Sequence, residues 1–312
     1  MWEHRKPGIK ILQFPYFPYS PIPLPAYLFD LDGTLYQGDA AIPGAPDLIV
    51  GLRRAGIPFR FVTNTTSKPR AAIVTRLRGY GFVLEEEEVF TALLAGADLA
   101  REMGCDAVMP LVPPAALEDL VGFKLVGTIA NGRTPCAPTD RPDRPDRPDR
   151  PDRPAALPPR CPAVMVGDLG ALWSFALVQE AFAALLKGAC LIALSRDRYW
   201  MSGTGLTIDC GAFVAALEYA TGQESVLAGK PSPAFYHAAI RSMGLEPGSS
   251  DVVMIGDDIR SDIGGAQAAG CRAYLVRTGK FREESLASSD IRPDRILGSV
   301  SELLDSDAGA AG

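Results

Sequence analysis

Two histidines in 312 residues, His4 and His237, are the sharpest shortage in this chain. With so little imidazole, Ser-His-Asp and Cys-His catalysis are nearly excluded, and so is a histidine-rich zinc site. The six cysteines (Cys105, Cys136, Cys161, Cys190, Cys210 and Cys271) form no CxxC pair and no cluster. That usage fits reduced, partly buried thiols in a cytoplasm rather than a disulfide framework. No apolar run approaches the roughly 20 residues that span a bilayer, so no membrane partner is expected. Positive charge is short as well. Lys and Arg number 31 against 37 Asp and Glu, a formal net charge of -6, which argues against a nucleic-acid partner. What remains for chemistry is carboxylate, lysine and a hard metal ion.

Hydrophobic residues at 47% and charged residues at 22% describe a globular protein, and the length suits two cores better than one. Residues 1–25 are Pro-rich and read as an extended, disordered arm without a signal-peptide pattern. From Ala26 the pattern alternates short apolar strands with helical stretches. Ala26–Leu31, Pro58–Thr63 and Glu88–Thr91 read as strands, and Pro46–Ala55 and Lys68–Gly79 as helices. The rhythm returns in Ser225–Ala228, Ser232–Met243, Asp251–Ile255, Asp262–Ala269 and Arg272–Val276. Such alternation predicts an α/β, Rossmann-like doubly wound parallel sheet. Its two halves are expected at 26–94 and 211–305, with an inserted α/β cap domain over 95–210 and a frayed tail at 306–312. The insert contains TDRPDRPDRPDRPDRPAALPPR, Thr139 to Arg160. Proline at every third position excludes helix and ladder pairing, so a disordered loop is expected over about 131–160. The plain reading is a repeat expansion in a surface loop, and a partner-binding segment is the alternative.

Chemistry concentrates at strand ends. In LFDLDGTLY (Leu28 to Tyr36), Asp30 and Asp32 close a buried strand. Residues i and i+2 of a strand share a face, so both carboxylates project into the crevice at the sheet's carboxyl edge, where ligands bind in open α/β sheets. Gly33 permits a sharp turn, and Thr34 can bond back to it. After the second strand come Thr63 and Asn64, whose hydroxyl and amide can donate to phosphate oxygens; capping of the next helix is the alternative. Lys230 follows Gly229 and precedes Pro231, which suits an ammonium held over the crevice or an ordinary solvated loop. After DVVMI comes GDDIRSD, with Asp257, Asp258 and Asp262. Three acids at one strand end call for a cation, and Mg2+ takes such oxygen ligands. Asp262 can alternatively cap the helix that follows.

Acids, hydroxyl, lysine and acids, each at a strand end and in that order, resemble the four motifs of the haloacid dehalogenase superfamily of phosphohydrolases. The long insert is similar to the α/β cap of its NagD-like subclass. The runs ALEYATG, GKPSPAFY, VMIGDDIRSDIGGAQAAG and VRTGKFR are most similar to the phospholysine phosphohistidine inorganic pyrophosphate phosphatase subfamily. The resemblance implies Asp30 as nucleophile and Asp32 as general acid and base. It implies Mg2+ held by the Asp30 carboxylate, the Asp32 backbone carbonyl and Asp257, with Asp258 and Asp262 as outer or alternative ligands. Thr63, Asn64 and Lys230 then bind the phosphoryl group of a small phosphorylated substrate, and a homodimer through the cap is expected.

Two other functions stay open. One is phosphotransfer or phosphomutase activity within the same superfamily. The other is a non-catalytic binding role centred on the arm and the repeat. In the cap, Asp168, Trp173, Arg196 and Tyr199 are candidates for substrate contact, with packing or solvated surface as the alternative for each. Deleting Arg141–Pro154 is expected to leave folding and turnover intact, as measured by circular dichroism and phosphate release; collapse of either would give the repeat a working role.

Overall fold

A computed structural model describes residues 25–132, 162–202, 205–248 and 251–306. The arm up to residue 24, the Arg-Pro-Asp tract and the last six residues lie outside these. Among the described residues no helix is long and apolar enough to cross a membrane.

Six parallel strands form the first sheet, in the spatial order Arg295–Leu297, Arg272–Val276, Val252–Gly256, Ala26–Asp30, Phe59–Thr63 and Val89–Thr91. Ala26–Asp30 sits between Val252–Gly256 and Phe59–Thr63, with Phe29 opposite Ile255 and Asp30 opposite Val62. A strand covered on both faces needs apolar side chains on both, and AYLFD is buried along its whole length. Its alternate residues feed different cores. Phe29 joins Phe61, Ile255 and Val276 against the helices Ala45–Arg54 and Arg70–Gly79. Leu28 joins Val62, Met254 and Leu275 against Ala92–Glu102 and Pro233–Ser242.

A second sheet of five parallel strands runs Val226–Leu227, Cys190–Ala193, Ala163–Val166, Ala107–Leu111 and Lys124–Leu125. One face packs on the helices Phe175–Leu186 and Gly211–Thr221 through Leu177, Ala181, Val214 and Leu217. The other joins the core that holds Leu28, through Val108, Met165 and Ile192. The helix Ala92–Glu102 is the shared wall. A Cβ at its Gly96 would run into the tip of Leu194, so the small residues of ALLAGADLARE let the second sheet close on it.

The strand register moves one expected boundary. Val226–Leu227 pairs with Cys190–Ala193, and Gly211–Thr221 packs on Phe175–Leu186. Both therefore sit with the second sheet, whereas alternation alone assigns them to the first. A two-residue strand carries no periodicity to say which sheet it joins.

After Asp30 the chain turns back at once. Leu35 and Tyr36 both donate N–H to the Leu31 carbonyl, at 2.9 and 3.2 Å, and Gly33 N–H donates to the Tyr36 carbonyl at 2.7 Å. Gly33 has φ +86°, and a side chain there would overlap the Asp257 carboxylate, so glycine is required twice over. Thr34 departs from expectation. Its N–H reaches the Leu31 carbonyl at 3.3 Å, but its buried hydroxyl has no partner among the described residues. A buried hydroxyl without a partner is destabilising, so Thr34→Val, of the same shape, should raise stability by about 1 kcal/mol. The check is a higher urea midpoint at constant slope; a lower midpoint would mean that the hydroxyl is bonded in solution.

Candidate active site

Three strands deliver the site at one edge. Ala26–Asp30 ends on Asp30, Phe59–Thr63 ends on Thr63, and Val252–Gly256 is followed at once by Asp257. Asp30, Thr63 and Asp257 are all buried, whereas Asp32, two residues on, is exposed to the crevice.

Lys230 enters from the segment that joins the second sheet to the first. Its side chain is 4% exposed, and its Nζ pairs with Asp30 Oδ1 and, at 2.7 Å, with Asp262 Oδ1. Burial alone would lower the lysine pKa, but the Asp262 and Asp30 charges outweigh it and hold the ammonium protonated. The solvated-loop alternative for Lys230 does not apply. Its backbone is fixed as tightly as its head. Asn64 Oδ1 accepts the Lys230 N–H at 2.8 Å, and Asn64 Nδ2 donates to the Lys230 carbonyl at 3.0 Å. Pro231 lies against Gly265, where a Cβ would come within 2.7 Å of the Pro231 Cα.

The expectation for Asn64 is thereby corrected. Both heteroatoms of its side chain bond the Lys230 backbone, so it places the lysine instead of pointing an amide at the crevice. Thr63 stands at the strand end as expected, but its hydroxyl proton is likewise engaged. Its Oγ1 accepts the Thr65 N–H at 3.1 Å and donates to Thr65 Oγ1 at 3.0 Å, all at the strand's mouth. Capping does not explain either residue, since Arg70–Gly79 starts at Pro69 with no side-chain cap.

The GDDIRSD acids divide their work in an unexpected way. Asp258 caps the helical segment, accepting N–H from Arg260 and Ser261 at 3.0 Å each through Oδ1. Those bonds outweigh its burial and keep its carboxyl below the usual range, with help from Lys280. Asp262 is no cap. It lies inside a π-helical turn, Ile259–Gly264, 1% exposed, and accepts the Asp258 N–H at 3.1 Å. The wider π-turn brings Asp262 back toward Lys230. Tyr236, fully buried, bonds the carbonyls of Ser261 and Asp262 from below. Nothing local in the sequence marks Asn64 or Tyr236 for these tasks.

One carboxylate oxygen from each of Asp30, Asp257 and Asp262 lies within 4.8 Å of the other two. Asp257 Oδ2 also accepts the Lys280 N–H at 2.6 Å, and the Thr278 hydroxyl donates to the Gly33 carbonyl. The turn Thr278–Lys280, in the VRTGKFR run just past Arg272–Val276, therefore closes the site's floor. Burial, then the Asp30 and Asp262 charges, push Asp257 up to about 8. Burial raises Asp262 to about 6, with Lys230 opposing and Asp30 adding. Asp32 is raised by partial desolvation and then by Asp30, against the opposing charges of Arg76 and Lys280. Hard oxygen donors this close, one forced to keep a proton, fit a divalent cation of the Mg2+ or Ca2+ type.

The cap candidates separate. Trp173 stacks on Phe213 at 3.8 Å and 8°, and Arg196 pairs with Glu218 and bonds Ser225 at 2.9 Å. Both are engaged inside the second unit. Asp168 lies against the first, its N–H donating to Thr66 Oγ1 at 2.8 Å. Tyr199 is 60% exposed.

Comparison with known proteins places this geometry. Residues 27–124 match the family model described as haloacid dehalogenase-like hydrolase, and 227–303 match a second, HAD-hydrolase-like model. The chain is 37% identical over 259 residues to human haloacid dehalogenase-like hydrolase domain-containing protein 2, covering 83% of this chain and 86% of that one. It is 33% identical over 284 residues to human phospholysine phosphohistidine inorganic pyrophosphate phosphatase, covering 89% and 92%. The p-nitrophenyl phosphatase of Archaeoglobus fulgidus superposes with a TM-score of 0.73 at 25% identity, over 92% of this chain and all of that one. With its acids gathered where both family models meet the sheet edge, the chain belongs to the haloacid dehalogenase-like hydrolase family.

Proposed function

We propose that the chain is a Mg2+-dependent phosphatase acting on a small phosphorylated molecule through an aspartyl-phosphate. The observation that carries this reading is the buried Asp30 carboxylate, ion-paired to Lys230 and facing Asp257 and Asp262 at the edge of the sheet. Names of relatives add support, since two of those reported above are phosphatases.

In this reading Asp30 attacks phosphorus in line and the bond to the leaving oxygen breaks. Asp32, exposed to the crevice and with its pKa raised, gives its proton to that oxygen. It then takes a proton from water, whose oxygen attacks the aspartyl-phosphate and restores Asp30. Lys230 stays charged throughout and faces the phosphoryl oxygens as they gather charge. The Thr63 hydroxyl, turning its proton from Thr65 Oγ1 to the phosphoryl group, orients them. Mg2+, which Asp30, Asp257 and the Asp32 carbonyl would hold with Asp262 in reach, would supply the positive charge that lets a carboxylate approach a phosphate dianion. The second sheet, at the crevice mouth, limits access to small molecules. The exposed Tyr199, Trp200, Leu206 and Ile208 of the hairpin formed by Tyr199–Ser202 and Gly205–Ile208 support pairing of two copies through that region.

Asp30→Asn should abolish Mg2+-dependent phosphate release from p-nitrophenyl phosphate while the circular dichroism spectrum stays native. Retained turnover would rule the assignment out. Asp32→Asn should slow turnover about 100- to 10,000-fold, the usual worth of general acid–base catalysis.

The metal reading has its own pH signature. Asp257 has an ordinary carboxyl pKa near 3.8 when unfolded and about 8 in the metal-free fold. The stability from its bound proton is complete below the lower value and is lost as pH rises through the upper one. Metal-free protein should therefore melt at a lower temperature above pH 8 than near pH 6, and Mg2+ should reverse the loss. Mg2+ must displace the proton, so calorimetric affinity should rise with pH up to about 8. A pH-independent affinity over that range would remove Asp257 from the ligand set.

A further inference from the structure

The loop that closes the site, Arg277–Arg282, carries three cations: Arg277, Lys280 and Arg282. Two are spent on the loop and its flank. Arg277 pairs with Glu283 at 3.0 Å and lies over the Phe281 ring at 5.1 Å. Arg282 donates to the carbonyls of Gly279 and Phe281, at 3.2 and 2.6 Å. The loop itself is pinned to the catalytic floor by the Thr278 hydroxyl and the Lys280 N–H. Gly279, with φ +64°, sits so near the Asp257 carboxylate and Gly33 that no side chain fits.

The Lys280 side chain is different. It is 71% exposed, and its nearest acid is Asp258 Oδ2 at 3.6 Å, beyond a good hydrogen bond. The other oxygen of Asp258 already caps the helical turn. A loose, exposed ion pair of this kind is worth little and exchanges readily. Lys280 is thus an ammonium on a fixed root, at the rim, with no tight partner. Lys230 is the opposite, sealed on the floor between two carboxylates. A phosphoryl group at Asp30 meets Lys230, and whatever the phosphoryl is attached to emerges past Lys280. Asp32 is also faced by Arg76, but that guanidinium bonds the Tyr80 hydroxyl and the Gly38 carbonyl and lies over the Tyr36 ring. Asp32 and Asp258 would repel a negatively charged leaving group, and Lys280 offsets them.

We propose that Lys280 is a specificity-determining residue that binds a second anionic group, a carboxylate or a further phosphate, on the leaving-group side of the substrate. This rests on the phosphatase reading of the same site. Lys280→Gln keeps the backbone N–H that holds Asp257 and changes only an exposed head, so folding is not at stake. The test compares kcat/KM for phenyl phosphate with that for 2-carboxyphenyl and 4-carboxyphenyl phosphate. The better carboxylated-to-neutral ratio should fall about tenfold in Lys280→Gln, the scale of a lost charge-assisted hydrogen bond. It should be largely kept in Lys280→Arg and should shrink with salt in the wild type. A ratio that Lys280→Gln leaves unchanged for both acids, or that Lys280→Arg lowers equally, overturns the inference alone. A wild type that releases no phosphate from phenyl phosphate overturns the phosphatase reading and this inference with it.

Discussion

The ammonium of Lys230 cannot sit where it does unless the rest of the site is built around it. A lysine head sealed from water is costly to keep charged unless carboxylates face it, and Asp30 and Asp262 do so from two different segments. Removing either would leave a buried, half-compensated charge, typically a loss of about 3–5 kcal/mol. That dependence explains the machinery behind the lysine. The Asn64 side chain grips its backbone at both polar atoms, Gly265 makes room for Pro231, and Tyr236 steadies the turn that presents Asp262. Because Lys230 lies on the segment arriving from the second sheet, this ion pairing also ties the two sheets together at the chemistry.

The charge balance follows from the same crowding. Asp30, Asp32, Asp257, Asp258 and Asp262 converge on one strand edge, against Lys230 inside and Lys280 outside. Two lysines, with Arg76 near Asp32, do not neutralise five acids. The fold relieves them in different ways. Asp30 and Asp262 share the Lys230 ammonium, Asp258 has two backbone N–H groups, and Asp32 has the crevice. Asp257 has one backbone N–H and is left holding a proton near neutral pH. It is the carboxylate with most to gain from a cation, which is why the metal reading centres on it.

Much of this is legible in the amino-acid sequence. Asp30, Asp32 and Asp257 stand at or just past the ends of buried apolar runs, which brings them to one edge of the sheet; Asp32 itself lies in the turn beyond the strand. The family's motif order then made the set specific. The rest depends on distance or register. Asn64 meets Lys230 across 166 positions, and no local pattern announces that pairing. The exchange of tasks between Asp258 and Asp262 comes from a π-turn, which adds a residue to the helical period and so shifts which acid caps and which turns inward. Val226–Leu227 is too short to show which sheet it extends. The helix Ala92–Glu102 does carry a polar edge, Asp98, Arg101 and Glu102, but its small buried face of Ala92, Ala95, Gly96 and Ala100 says nothing of a second sheet packed on it.

That helix bears on how the crevice is bounded. Both sheets are parallel, and the segments leaving their carboxyl ends meet. Gly167, just past Ala163–Val166, touches Thr66, and the N–H of Asp168 donates to Thr66 Oγ1. Gly229 lies against the Leu194 carbonyl and the Asn64 side chain. A lid joined only by flexible linkers would need none of these contacts. Here the second sheet shares a hydrophobic wall with the first and shares loops with the site, so its distance from Asp30 is set by packing. Closely packed interiors yield little. The way in to Lys230 and Asp30 is therefore bounded by loops already in contact, with Lys280 at its solvent edge.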